Sequence, residues 1–275
     1  MGVLGKGITM RFSVALSMLP GETVQARFEA AKRLGYDGIE VSGGQNYDET
    51  MPGVAEASRA TGVPVSSIVG FSGNPLSPDP AEREQALGDI GRLLAWAGRL
   101  GAVGLILVPC FGRPRMPDLS PYRTPEELAR ELLLKLLPRM GEAAEKAGAL
   151  VLLEALNRYE SQFLSRQEQV AEIIEAAGCP PGIALMADFF HMNIEEVDPP
   201  AALRAVAEHL KHAHLADNTR KEPGTGILDF KANFAALKAV GFDGYGALEC
   251  GIAADEPERA LAETLAFLKK TYREA

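Results

Sequence analysis

Eight short runs rich in Val, Ile and Leu punctuate the chain: Phe12–Leu16, Gly38–Ser42, Val63–Val69, Val103–Val108, Leu150–Leu156, Ile183–Ala187, Leu210–Leu215 and Tyr245–Cys250. Continuous apolar runs of this length are the pattern of strands buried on both faces of a parallel sheet. Amphipathic stretches alternate with them, at Glu22–Leu34, Asp48–Ala60, Pro80–Leu100, Glu126–Ala147, Arg166–Ala177, Pro200–Glu208, Phe230–Val240 and Pro257–Tyr272. Several carry helix punctuation, such as Thr124-Pro125 ahead of the fourth, Asp229 ahead of the seventh, and Gly178 and Gly241 as stops. Eight strands alternating with eight helices over roughly 250 residues is the count of a (β/α)8 TIM barrel, an α/β fold. A doubly wound open sheet would also alternate, but it carries a glycine-rich phosphate turn after an early strand. The turn after the first run reads SMLPGE, which is not one.

A weak internal repeat agrees with the barrel. Ala31–Val41 reads AKRLGYDGIEV and Leu237–Leu248 reads LKAVGFDGYGAL. Both run helix end, glycine, aromatic, Asp-Gly, strand, although glycine ends many helices and this alone does not prove descent from a repeat. No linker or low-complexity segment divides the chain. The expected organisation is a loose leader at residues 1–10 and one barrel domain over residues 11–275.

Charge and cysteine content narrow the partners. The net charge is −9, whereas a nucleic-acid surface needs clustered Lys and Arg. The three cysteines, Cys110, Cys179 and Cys250, are far apart and form no CxxC pair, as in a reducing cytoplasm. Nothing in Met1–Met10 resembles a secretory signal, and no apolar run reaches the ~18 residues of a membrane span. The expectation is a cytoplasmic protein acting on a small molecule.

In a barrel of this kind the active site lies at the C-terminal ends of the strands. The fifth run carries Glu154, then Asn157, Arg158 and Glu160; the seventh carries His212, His214, Asp217 and Arg220; the eighth carries Glu249. The sixth delivers Asp188 and, three residues on, His191, with Glu195 and Glu196 behind them. A buried carboxylate beside an imidazole is costly without a partner. His212 and His214 share a strand face; the outer, His214, is the better ligand, and His212 reads as a hydrogen-bonded core histidine. Glu154, Asp188, His214 and Glu249 together form an oxygen-rich set suited to one divalent cation, Mn²⁺ first, with Mg²⁺ or Co²⁺ as alternatives and Zn²⁺ less favoured without cysteine. Each residue also has a plainer reading, a strand-end acid paired with a nearby base; for Arg220 that base-pair partner would be Asp217 or Glu222. Phe71, Trp96, Cys110, Phe111, Phe189 and Phe190 are candidates for an apolar pocket wall, with ordinary core packing as the alternative.

These motifs resemble the xylose-isomerase-like TIM barrels, in particular the sugar isomerases and ketose 3-epimerases related to D-tagatose 3-epimerase. The likeness is carried by LLEALNRYE (152–160), ADFFHMNIEE (187–196), HAHLADNTRKEPGTG (212–226) and ALEC (247–250), while the first half matches in rhythm alone. The resemblance implies the same four metal ligands. It also implies that Glu154 and Glu249 are the catalytic acid/base pair, and that His191, Arg220 and Glu160 bind or support the substrate. The implied reaction is epimerisation of a ketose: the metal polarises the carbonyl and stabilises an enediolate, one glutamate removes the adjacent proton, and the other returns one from the opposite face. Loop seven offers Arg220 and Lys221 but loop eight is acidic, which favours a free sugar over a phosphorylated one. Homo-oligomers, dimers or tetramers, are a further implication.

The same site would serve an aldose–ketose or hydroxypyruvate-type isomerase, or an inosose-type dehydratase. A non-catalytic sugar binder has no need of two opposed glutamates. An endonuclease-IV-like DNA repair hydrolase needs further histidines after strands three, four and seven. Here those positions read IVGF, VPCF and GTGILDF, with no histidine among them.

Overall fold

Each apolar run forms one strand of the computed structural model, which describes residues 10–44, 46–254 and 256–275. The strands are β1 (Arg11–Ala15), β2 (Gly38–Ser42), β3 (Val65–Val69), β4 (Gly104–Leu107), β5 (Leu150–Glu154), β6 (Ile183–Asp188), β7 (Leu210–Leu215) and β8 (Tyr245–Leu248). They pair in parallel in chain order, and β8 closes onto β1 through Arg11–Tyr245 to Val14–Leu248. The expected (β/α)8 barrel is therefore the fold.

Among the described residues the helices are α1 (Val24–Leu34), α2 (Tyr47–Thr61), α3 (Pro80–Leu100), α4 (Pro125–Ala147), α5 (Gln167–Ala176), α6 (Phe189–Glu195), α7 (Pro199–Ala205), α8 (Phe230–Ala239) and α9 (Pro257–Glu274). Their punctuation is local chemistry. Thr124 and Glu127 form a reciprocal capping box at the start of α4, and Gly148 in the left-handed region ends it. The repeat noted in the sequence has a structural use at its first copy. Gly35 (φ 83°) ends α1, and Asp37 then exchanges hydrogen bonds with the backbone of Phe12.

One helix was not expected. Residues after Asp188 turn directly into α6 with no Gly or Pro between strand and helix, because Asp188 is both the last residue of β6 and the N-cap of α6. His191, read from the sequence as part of strand six, therefore sits on α6. At the other end, the leader expected for residues 1–10 lies outside the described residues except for Met10. That residue is buried, and its N–H donates to Tyr272 Oη at 3.2 Å. No described helix is long and apolar enough to cross a membrane.

Side chains alternate between the helix layer and the barrel interior. On β1, Phe12 faces outward to Phe234 and Tyr272, so Ser13 faces in. The interior differs from one side to the other. Ile106, Leu152, Ala184 and Met186 from β4, β5 and β6 form a small apolar cluster separate from the main core under the helices. Ser13, Glu40, Ser67 and His212 from β1, β2, β3 and β7 are equally buried but polar.

Candidate active site

The alternation brings Glu154, Asp188 and His214 to the inner face at the top of β5, β6 and β7, and Glu249, the residue after β8, joins them. His214 Nδ1 is the centre of the group: it lies 3.2 Å from Glu249 Oε2, 3.6 Å from Asp188 Oδ2 and 3.7 Å from Glu154 Oε1. All four residues singled out as metal ligands thus converge.

The two oxygens of Asp188 have separate tasks. Oδ1 accepts the N–H groups of Phe190 (2.8 Å) and His191 (3.3 Å) at the start of α6, which leaves Oδ2 to face the centre. The same helix presents His191. The backbone N–H of Asn157 donates to His191 Nδ1 at 3.1 Å, and the Asn157 side-chain amide lies 2.8 Å from the same nitrogen. Nδ1 is therefore an acceptor toward Asn157, while Nε2 lies 3.0 Å from Arg220 Nη1, a group that can only donate. Nε2 points to the carboxylates, 3.7 Å from Asp188 Oδ2 and 4.0 Å from Glu154 Oε1. Glu160 accepts from the Asn157 amide at 2.8 Å and stands half-exposed at the rim.

Arg220 does not pair with Asp217 or Glu222, the plainer reading of the sequence. Its Nη1 donates to Asp188 Oδ2 at 2.9 Å, its Nη2 to Glu249, and its guanidinium lies over the Phe190 ring. Loop seven is built to hold it there. Buried Asp217 accepts the backbone N–H groups of Asn218, Gly224 and Leu228, and the Asp217 carbonyl accepts the N–H of Arg220. Arg220 itself adopts φ 56°, a left-handed conformation that non-glycine residues take at some energetic cost. Glu195 and Glu196 turn away from the centre: Glu195 pairs with Arg158, and Glu196 accepts the N–H of Gln167 at the start of α5.

A cavity of about 410 Å³ opens above these groups, lined by Glu154, Glu160, His191, Arg220 and Glu249 and by apolar Phe71, Pro75, Val108, Cys110, Phe111 and Leu156. Phe71, Cys110 and Phe111 are thus wall residues, as expected. Trp96 is not; it lies on the helix layer and donates to Asp48. Nor is Phe189, which packs in the core against Phe230 and Phe234.

Sequence reasoning missed Glu40. This carboxylate, fully buried on β2, accepts from Ser67 Oγ at 2.6 Å and lies 3.1 Å from His214 Nε2 and 3.3 Å from His212 Nε2. His212 is the buried, hydrogen-bonded core histidine the spacing implied. The available signal was a Glu in the middle of the apolar run GIEVS, where an unpaired charge would be costly.

The environment separates the acids. Burial pushes Glu154 up to about 7, against the attraction of His214. Burial also opposes ionisation of Asp188, but Arg220, His214 and His191 outweigh it and hold that carboxyl below its usual range. In the same way His214 and His212 overcome the burial of Glu40 and hold it low. Burial opposes charge on His214, yet Glu40, Glu249, Asp188 and Glu154 outweigh it and raise its pKa.

The residues fit a divalent cation. Asp188, His214 and Glu249 offer ligand atoms within 4.8 Å of one another, as do Glu154, Asp188 and His191. His214 Nδ1 is buried with no hydrogen-bond partner, and three carboxylates surround it. An orphaned imidazole nitrogen facing oxygen donors is a ligand set for a hard or borderline cation.

A closed parallel barrel with this acid–imidazole ring at its mouth defines a class, and the comparisons agree. The chain belongs to the xylose isomerase-like TIM barrel family, whose profile matches residues 28–271. It is 31% identical over 254 residues to the 3-dehydro-D-guloside 4-epimerase of Escherichia coli (strain K12), covering 90% of this chain and 95% of the relative. It is 31% identical over 213 residues to the L-ribulose 3-epimerase of Mesorhizobium japonicum, covering 77% and 70%. The crystal structure of apo 3-keto-D-glucoside 4-epimerase from E. coli superposes with a TM-score of 0.86 at 29% identity, covering 95% of this chain and all of that one. The relatives are epimerases and isomerases of sugars, and this chain is an enzyme of that kind.

Proposed function

We propose that the chain is a divalent-metal-dependent sugar epimerase that inverts the carbon next to a ketone, most simply a ketose 3-epimerase, with Glu154 and Glu249 as the opposed base and acid. The observation that carries this reading is the placement of those two carboxylates on β5 and just past β8, both lining the cavity and both close to His214 Nδ1 on the strand between them. Inversion needs a proton taken from one face of the carbon and returned to the other, and a single carboxylate cannot serve both faces without turning the substrate.

Glu154, Asp188, His214 and Glu249 would hold the cation, Mn²⁺ in the first instance; when bound it withdraws charge from the ketone and stabilises the anion left by proton removal. The chain's own groups do the rest. Glu154, raised to about 7 by burial in the metal-free site, is the group assigned to remove or return the proton. His191, whose Nε2 lies 3.0 Å from Arg220 Nη1, lines the cavity with Arg220 and Glu160, and these three would orient the sugar hydroxyls. Arg220 is the one Lys or Arg among the described lining residues and is already paired with Asp188 and Glu249, which favours an uncharged sugar over a phosphorylated one.

A second reading is 4-epimerisation of a 3-keto-glycoside, favoured by the likeness to the E. coli enzyme over 95% of that relative's length. Both reactions invert a carbon α to a ketone and make the same demand on the two glutamates. The test is incubation of Mn²⁺-loaded protein in D₂O with a panel of ketoses and a 3-keto-glucoside, read by NMR and product chromatography. The expected result is deuterium at the inverted carbon, activity lost in excess chelator and restored by Mn²⁺ or Co²⁺. No exchange into any member of the panel, or turnover indifferent to chelator, overturns the proposal.

A further inference from the structure

Glu40 lies on β2, across the barrel interior from β7, and nothing in the proposed reaction uses it. Its surroundings are specific. Oε2 collects the Ser67 hydroxyl at 2.6 Å, His214 Nε2 at 3.1 Å and His212 Nε2 at 3.3 Å, while Oε1 is buried with no hydrogen-bond partner. An acid held in the interior with half its carboxylate unsatisfied is costly to stability. Apolar side chains fill the corresponding space below Glu154 and Asp188, where Leu152 and Met186 stand. A cheaper interior was thus available to this fold, and the polar group is retained against it.

The geometry points to Glu40 as the positioning residue for the imidazole of the proposed metal site. An imidazole offers two nitrogens, and which one is a lone-pair donor depends on what holds the other. A carboxylate accepts only, so Nε2 of His214 is the nitrogen that keeps its proton, and Nδ1 is the one left to give its lone pair to a cation held with Glu154, Asp188 and Glu249. Ser67 donates to the same oxygen and prevents Glu40 from rotating out of line. His212, one step lower on the same strand face, closes the interior behind it. The contact runs between strands that are not neighbours in the sheet, so it fixes the rotation of the His214 ring independently of the β7 backbone. A ligand imidazole that donates its other N–H to a carboxylate is held in both tautomer and direction, and loss of such a partner typically lowers metal affinity about 10–100-fold.

This inference rests on the reading of Glu154, Asp188, His214 and Glu249 as a metal site, and the experiment separates the two. Wild type, Glu40→Ala, Glu40→Gln and Ser67→Ala are titrated with Mn²⁺, with free Mn²⁺ read by electron paramagnetic resonance. The visible spectrum of the Co²⁺-loaded proteins and the ¹⁵N shifts of His214 in the Mg²⁺-loaded wild type are recorded alongside. Expected are a Glu40→Ala dissociation constant raised about 10–100-fold, a smaller change of the same sign for Glu40→Gln and Ser67→Ala, altered Co²⁺ bands, and Nε2-protonated His214 in wild type. A merely structural role would lower the melting temperature and leave affinity and Co²⁺ bands unchanged. If Glu40→Ala does not fold, Glu40→Gln and Ser67→Ala decide the matter by the same readouts. Affinity within twofold of wild type in the folded variants overturns the role of Glu40 and leaves the metal site standing; Nδ1-protonated His214 overturns that role and His214 as a ligand together. No Mn²⁺ binding by wild type overturns both.

Discussion

The ring of site residues stands on two different floors. Beneath Glu154 and Asp188 the interior is apolar, with Leu152 and Met186 directly below them on the same strand faces and Ile106 and Ala184 completing the cluster. Beneath His214 it is polar, made by His212, Glu40 and Ser67. The difference follows from what each type of proposed ligand needs. A carboxylate has two equivalent oxygens and can be aimed by its neighbours, as Asp188 is by the N-terminus of α6, so it tolerates a dry floor. That dryness is also what raises Glu154 to about 7. An imidazole has two inequivalent nitrogens, and only a polar partner below can settle which of them faces up.

The sharpest way to break this contrast uses two residues of one strand, Leu152 and Glu154, which share a face and differ by one level. Glu154→Gln keeps the shape of the side chain and removes the exchangeable proton. It is expected to lower kcat by about 10²–10⁴-fold, with the melting temperature held or raised because a buried acid has become neutral. Full activity in this variant would remove Glu154 from the chemistry. Leu152→Ala should do the opposite. It opens a cavity in the dry floor and is expected to lower stability by about 2–5 kcal/mol in denaturant titration, while kcat measured well below the transition stays near wild type. A large loss of kcat in a fully folded Leu152→Ala protein would mean that the apolar floor positions the acid, and the division of labour between the floors would fail.

The dry floor was legible in the sequence and the wet one was not, for a physical reason. Strands buried on both faces announce themselves as continuous apolar runs, so the eight strands and their order could be read directly, and with them the tops that carry Glu154, Asp188, His214 and Glu249. Glu40 interrupts such a run, GIEVS, and pattern alone does not say what a lone acid there pairs with. Its partners, Ser67 and His214, lie 27 and 174 residues away, and only barrel closure brings them together. Helix α6 was hidden differently. At seven residues it is too short for a periodic signal, and its cap, Asp188, looked fully explained as a strand-end ligand. The displacement of His191 from strand to helix follows from that, yet its site near the acids survives, because one helical turn returns residue 191 over residue 188. Trp96 and Phe189 were candidates by residue type alone, and type does not say which side of a strand or helix a ring occupies.

The smallest effect concerns protons rather than packing. Glu154 has an ordinary value of 4.5 and is raised to about 7 in the folded protein. Between those values the native state binds more protons than the unfolded state, so the stability this group contributes is lost as pH rises through the window. Above 6.5, the ordinary value for histidine, raised His214 acts with the same sign. Asp188 and Glu40 are shifted downward, and their stabilisation is lost only as pH falls below the ordinary carboxylate values, outside this window. His191 and His212 are shifted down and act with the opposite sign below 6.5, so Glu154 is read by difference: the stability of metal-free wild type relative to Glu154→Gln is expected to fall by about 1–2 kcal/mol between pH 5 and pH 7. Mn²⁺ bound at the proposed site would replace protons there, so its stabilising increment should grow across the same interval. Melting temperatures taken at pH 5, 6, 7 and 8 with and without Mn²⁺ measure both, and below pH 7 the metal-free slope of Glu154→Gln should be more positive than that of wild type. If wild type and Glu154→Gln give parallel lines, the proton is not on Glu154, and the dry floor beneath it does not tune the acid.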